Sequence, residues 1–85
     1  MKKITITSTL MCPNSTAAKK ILINEGLNFN EIIIDDKPDL REEMIKRAHG
    51  KYTVPQIFFD DESIGGFDQL SILKKKQSIK SLVEG

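Results

Sequence analysis

The segment from Asn28 to Asp35, NFNEIIID, constrains the fold more than any other part of the sequence. It is short, carries Phe29 and three consecutive isoleucines, and is followed by polar turn residues, which predicts a buried β-strand of the parallel kind. Parallel strands need a crossover connection between them, usually a helix, and both faces of their sheet must be covered. The rest of the chain therefore has to supply a partner strand and helices for two faces.

Two patterns before this segment predict a partner strand and one of the covering helices. The segment from Lys2 to Thr9, KKITITST, alternates isoleucine with threonine, which is the period and the β-branched composition of a strand. An amphipathic pattern then runs from Pro13, which suits the first turn of a helix, to Gly26, which suits its end. Strand, helix and strand together predict a βαβ unit.

The second half of the chain predicts two more strands and further helices. Apolar residues recur at helical spacing from Leu40 to Ala48. Gln56 to Phe59 and Ser63 to Ile64, joined by an acidic turn, predict a β-hairpin. Phe67 to Lys75 predicts a third helix, and a last short helical turn follows from Ile79. The order β α β α β β α predicts an α/β fold with a four-stranded mixed sheet and helices on both faces.

Composition limits the chain to one small domain. Eighty-five residues, 39% of them hydrophobic, fit a single domain spanning residues 1–85 that is too short for two cores. The net charge of +1 provides no field to attract nucleic acid or an anionic membrane. No apolar run approaches the roughly 18 residues of a membrane span, and the first residues lead into a strand rather than a signal peptide. We expect a monomer in the cytoplasm.

Cys12 is the only cysteine and therefore has no partner for an internal disulfide, which fits a reducing compartment. It stands between the end of the first strand and Pro13, where it is expected to be the N-cap of the first helix. The amides of Asn14 and Ser15 would point at the sulfur, and helix N-termini stabilise thiolates. The alternative is an inert buried cysteine. Such a residue gains nothing from this junction, so the position favours an exposed nucleophile.

Four stretches together give the chain a resemblance to the glutaredoxin family, of the small bacterial type, along essentially its whole length. CPNS resembles the Cys-Pro-x-Cys active site of that family, and KYTVPQIFFD resembles its Thr-Val-Pro strand entry. IGGFDQL resembles its Gly-Gly-x-Asp loop, and DLREEMIKRAHG its second helix. Alone, Val-Pro is often a mere strand start and Gly-Gly a mere turn. Together they imply a thioredoxin fold and a glutathione-dependent thiol–disulfide oxidoreductase.

The resemblance also implies a site for glutathione, as co-substrate, beside Cys12 as the catalytic nucleophile. Its cradle would include a cis bond before Pro55, and the Val54 backbone would pair with the cysteinyl residue of glutathione like an added strand. Amides at the start of the third helix would bind the γ-glutamyl carboxylate, Asp68 its amine, and Lys51 the glycyl carboxylate. The implied glutathione-binding residues are Lys51, Thr53, Val54, Pro55, Gly66, Phe67 and Asp68.

Three positions near the nucleophile depart from the family pattern. The dithiol form of the family has a resolving cysteine where this chain has Ser15, and often an aromatic residue where it has Asn14. Many relatives have a lysine where this chain has Thr9, so binding of the glycyl carboxylate would depend more on Lys51. Ser15 cannot form a disulfide and at most donates a hydrogen bond toward the Cys12 thiolate. It is either natural or a Cys→Ser replacement in a dithiol enzyme.

Without a resolving thiol, the resemblance implies a one-thiol route, in which Cys12 takes glutathione from glutathionylated proteins or small disulfides and a second glutathione frees it. One alternative is a [2Fe–2S] cluster carried between two subunits, although cluster-binding relatives usually have Gly-Phe where this chain has Pro13 and Asn14. Another is a thioredoxin-fold interaction module without chemistry. We expect no other metal site, because His49 stands alone and residues 60–62 form a solvated acidic turn.

Overall fold

One of the two inner strands of the sheet in the computed structural model is β1 (Ile4–Ser8), whose five residues are all buried. It pairs in parallel with β2 (Asn30–Ile33) and antiparallel with β3 (Gln56–Phe59). β3 in turn pairs antiparallel with β4 (Glu62–Gly65), so the strand order is β2-β1-β3-β4. The predicted mixed sheet of four strands is therefore confirmed.

The structure describes residues 2–76 and 78–84. The predicted domain span of 1–85 also includes Met1, Gln77 and Gly85, which lie outside the described residues. Within the described part, the chain also forms four helices, and none is long and apolar enough to cross a membrane. Their bounds are α1 (Pro13–Asn24), α2 (Pro38–Arg47), α3 (Phe67–Lys76) and α4 (Ile79–Glu84).

The two faces of the sheet bury two separate apolar clusters, because successive side chains of a strand point to opposite faces. On β3, Ile57 and Phe59 join the larger cluster, and Phe58 between them joins the smaller one. The larger cluster packs α1, α3 and α4 against the sheet and contains Ile4, Ile6, Ala18, Leu22, Leu27, Ile57, Phe59, Leu70, Ile79 and Val83. The smaller cluster packs α2 on the other face and contains Ile34, Met44, Ala48 and Phe58. Helices thus cover both faces, as expected.

Both ends of α1 follow from its sequence. Pro13 occupies the first helical position after Cys12, which is the N-cap in an extended conformation. At the other end, the amide of Leu27 donates to the Leu22 carbonyl at 3.0 Å and Gly26 has φ +73°. This is the Schellman arrangement, which places a glycine in the left-handed region. The predicted helix from Pro13 to the Gly26 stop is confirmed.

The expectation that the Asn28 to Asp35 segment forms a buried strand is wrong in its burial. β2 lies at the edge of the sheet, with Asn30 and Glu31 exposed and Ile32 and Ile33 only partly buried. The Glu31 carboxylate forms an ion pair with the Lys19 ammonium of α1 at 2.7 Å. A charged side chain at an exposed edge is a common protection against pairing with other chains.

We predict that Gly65→Ala destabilises the fold more than Gly26→Ala, although both glycines have positive φ. The left-handed region costs a non-glycine residue about 1–2 kcal/mol, and Gly26 has open space around an added Cβ. At Gly65, with φ +108°, the added Cβ would lie 2.8 Å from Cγ of Gln69, which adds about 1–3 kcal/mol of overpacking. Urea unfolding of both variants measures the difference, and equal losses would contradict the prediction.

Candidate active site

The Cys12 sulfur lies where the end of β1 meets the start of β3. As the N-cap of α1, Cys12 has φ −114° and ψ 107°, and its side chain is half-buried. The thiol donates a hydrogen bond to the Val54 carbonyl, with 3.7 Å between sulfur and oxygen. The nucleophile predicted from the sequence is therefore accessible and is held against the Thr53–Pro55 segment.

The expected approach of the Asn14 and Ser15 amides to the sulfur does not take the form of a hydrogen bond. The Cys12 side chain makes no capping hydrogen bond to the first turn of α1. The thiol instead donates to the Val54 carbonyl across the junction. The sulfur is therefore held by β3's entry loop rather than by the helix that it caps.

The hydrogen bond that Ser15 could at most donate toward Cys12 is not formed. Ser15 is 2% exposed, and its hydroxyl oxygen has no hydrogen-bond partner among the described residues. Ser15, Ala18 and Leu22 are the buried residues of α1, and their spacing of three and four puts them on one helix face. Ser15 thus faces the interior of the protein, whereas Asn14 and Pro13 are exposed.

An interaction that the sequence analysis missed fixes the segment before the nucleophile. The Leu10 amide donates to the Asp35 carboxylate at 2.9 Å, and Thr9 is half-buried. Asp35 follows β2, which is parallel to β1, so both strand ends lie at the same edge of the sheet. The predicted parallel pairing of β1 with β2 was the signal from which a contact between Leu10 and Asp35 could have been expected. With the chain tied down at Asp35, the Leu10 and Met11 side chains are 72% and 91% exposed.

A cleft of about 320 Å³ brings the predicted binding residues together. All seven residues implied for glutathione line it, together with Asn14. Gln56 and Gln69, which the sequence analysis did not select, line it as well. Val54 lines this cleft, and its carbonyl accepts the hydrogen bond from the Cys12 thiol, so the sulfur lies next to the cleft.

One wall of the cleft is the segment from Thr53 to Pro55. The Val54–Pro55 peptide bond is cis, as expected. Gln56, at the start of β3, donates through Nε2 to the Thr53 carbonyl at 2.9 Å and to the Thr53 hydroxyl at 3.2 Å. The Pro55 carbonyl packs closely on Gly66, where an added Cβ would approach it to 3.1 Å.

The other wall is the start of α3, and there one expectation needs correction. The Gly66 amide, expected to receive an anionic group, donates instead to the side-chain oxygen of Gln69 at 2.9 Å. A residue three positions after the cap often reaches back to the cap amide in this way, so the spacing of Gly66 and Gln69 was the missed signal. Phe67 and Asp68, the first two residues of α3, line the same cleft.

The charges of the cleft are few and opposite. Among the described residues that line it, Lys51 is the one cation and Asp68 the one anion, and both are exposed. No group of three or more His, Cys, Asp or Glu side chains that could hold a metal ion occurs in residues 2–76 and 78–84. A second cleft of about 350 Å³ shares Gln69, and its apolar lining residues are Phe59, Ile64, Ile72, Leu73 and Leu82. The cleft beside Cys12 is therefore suited to a polar ligand that carries both positive and negative charge.

Known proteins agree with this architecture and identify its family. The family model described as Glutaredoxin matches residues 4–64. Glutaredoxin 3 of Escherichia coli strain K12 is 40% identical over 84 residues, which cover 99% of this chain and 100% of that protein.

Solved structures give the same result. The solution structure of glutaredoxin from Brucella melitensis is 37% identical, with a TM-score of 0.83 over 98% of this chain and 89% of that one. A crystal structure of a buckwheat glutaredoxin–glutathione complex is 20% identical, with a TM-score of 0.86 over 98% of this chain and 77% of that one. The second likeness shows the fold alone.

We predict that Asp35→Ala loosens the segment before the nucleophile, because the Leu10 amide loses its acceptor. Amide hydrogen exchange at Leu10 should become faster, and the free energy of unfolding should fall by about 1 kcal/mol. Asp35→Asn is the matched control, since its side-chain oxygen can still accept the bond. Unchanged Leu10 exchange in the alanine variant would contradict the prediction.

Proposed function

The chain belongs to the glutaredoxin family of glutathione-dependent thiol–disulfide oxidoreductases, and on that premise we propose that it transfers glutathione through a single thiol, Cys12. The observation that carries this proposal is the position of the sulfur. Cys12 is half-buried, and its thiol contacts the Val54 carbonyl in the wall of a polar cleft. A disulfide ligand in the cleft can therefore bring its own sulfur to the nucleophile.

The proposed reaction has two exchange steps. In the first, the Cys12 thiolate attacks the glutathione sulfur of a mixed disulfide; a new sulfur–sulfur bond forms as the old one breaks, and the substrate leaves as a thiolate. In the second, the thiolate of another glutathione attacks the glutathione sulfur held on Cys12. This releases oxidised glutathione and the free thiolate. Ser15 has no thiol, so neither step passes through an intramolecular disulfide.

Glutathione fits the cleft as the co-substrate. The backbone of Val54 would pair with the cysteinyl residue of glutathione in the manner of an added strand. Lys51 would bind the glycyl carboxylate, and Asp68 would accept hydrogen bonds from the γ-glutamyl amine. The amides of Phe67 and Asp68 would bind the γ-glutamyl carboxylate. The presence of glutathione in the structurally similar buckwheat complex supports this ligand.

The remaining parts of the proposal concern the working form of the protein. We propose that residues 1–85 act as a single domain and a monomer, since one chain supplies both the nucleophile and the cleft. Glutathionylated proteins and small disulfides are the proposed substrates. The cytoplasm is the proposed compartment, because the second step consumes reduced glutathione.

We predict that Cys12→Ser abolishes glutathione transfer, because a hydroxyl cannot form the disulfide intermediate. Intact mass after incubation with oxidised glutathione should show one glutathione added to the original protein and none to the variant. Circular dichroism serves as the control for folding. Full activity of the variant on a glutathionylated peptide would overturn the proposal, as would the absence of any adduct on the original protein.

We predict that Asp68→Asn raises the KM for a glutathionylated peptide about fivefold, the size of effect expected for one exposed charge pair. The change in kcat should be smaller, because Asp68 is proposed to contact the ligand far from the reacting sulfurs. Asp61→Asn is the matched control, since it removes the same charge from an exposed turn residue outside the cleft. Equal KM values for the two variants would contradict the role of Asp68.

A further inference from the structure

Gln56 differs from the other polar residues of the cleft wall. Among the described residues that line the cleft, it alone combines a polar side chain with burial, being 1% exposed. Its side-chain oxygen has no hydrogen-bond partner in residues 2–76 and 78–84. Buried side-chain amides are normally fully paired, so the retention of a glutamine here calls for an explanation.

The backbone of Gln56 belongs to the rigid part of the sheet. Gln56 lies opposite Thr7 in the pairing of β1 with β3. Its carbonyl also accepts a buried hydrogen bond from the Thr7 hydroxyl at 3.1 Å. The backbone pairing with β1 thus fixes the position of the residue.

The side chain of Gln56 connects this fixed point to the loop. Nε2 donates to both the carbonyl and the hydroxyl of Thr53, which closes a ring around Val54 and Pro55. Pro55 itself has no amide hydrogen with which to secure the turn. The Gln56 side chain therefore supplies hydrogen bonds that the Pro55 backbone cannot make.

We infer that Gln56 is a positioning residue for glutathione exchange, which holds the Val54 backbone in the place where the ligand pairs with it. The inference rests on the proposed function and extends it to a residue outside the set that the family resemblance implied. Gln56 acts through Thr53, and one movement of the segment would shift both the acceptor of the Cys12 thiol and the wall of the cleft.

The unpaired side-chain oxygen of Gln56 distinguishes a role in positioning the Val54 backbone from a role in stabilising the fold. A buried acceptor without a partner is less stable than an apolar side chain of the same size. A residue kept only for stability would be expected to be apolar here. We therefore expect Gln56→Met, which nearly conserves volume, to leave the melting temperature unchanged or raised while weakening the reaction.

The test compares Gln56→Met with Thr7→Val. The control removes a buried hydrogen bond to the same residue but leaves the Gln56–Thr53 contacts in place. For Gln56→Met we expect faster amide exchange at Val54 and a KM for a glutathionylated peptide raised roughly 10-fold or more, as expected when a binding group is misplaced. For Thr7→Val we expect an unchanged KM.

An unchanged KM in Gln56→Met would overturn the inference, whether or not Val54 exchange becomes faster. A raised KM accompanied by a lowered melting temperature, or shared with Thr7→Val, would indicate a structural role and would also overturn it. If the original protein formed no adduct with glutathione, the proposed function would fail instead. Val54 exchange would in that case still decide whether Gln56 holds the segment.

Discussion

The antiparallel pairing of β1 with β3, in which Thr7 lies opposite Gln56, is the constraint on which the site depends. Because the strands run in opposite directions, the chain leaves β1 toward Cys12 at the point where the Thr53–Pro55 segment enters β3. The nucleophile and the wall of its cleft are thus distant in sequence but adjacent in space. The hydrogen bond between the Cys12 thiol and the Val54 carbonyl is the direct result.

This end of the sheet is also where the fold departs from an apolar interior. Thr7, Ser8, Ser15 and Gln56 are buried near the junction, and two of them, Ser15 and Gln56, each have a side-chain oxygen without a partner among the described residues. Each such group costs about 1–3 kcal/mol. The apolar clusters on the two faces of the sheet must offset this cost. The apolar clusters that stabilise the fold thus lie on the faces of the sheet, whereas the buried polar groups lie beside the cleft in which a polar ligand is expected to bind.

The sequence predicted those features that depend on local patterns. Alternation in β1, Pro13 at the helix start and Gly26 at its end are each encoded within a few residues, so the element order was correct. Features that depend on distant side chains were missed. The Leu10 amide finds Asp35, and Glu25 accepts from the Ile79 amide at the start of α4. Periodicity does not encode contacts of this kind, because they are set by the packing of completed elements.

The same limit explains the errors at the site itself. A helix N-terminus predicts free amides for the sulfur and for a ligand anion, but it does not predict which side chain reaches them first. The Gly66 amide donates to the Gln69 side chain, and the Cys12 thiol donates to the Val54 carbonyl rather than bonding the first turn of its own helix. In the proposed route, the Cys12 sulfur therefore reacts beside the Val54 backbone, with which glutathione is expected to pair.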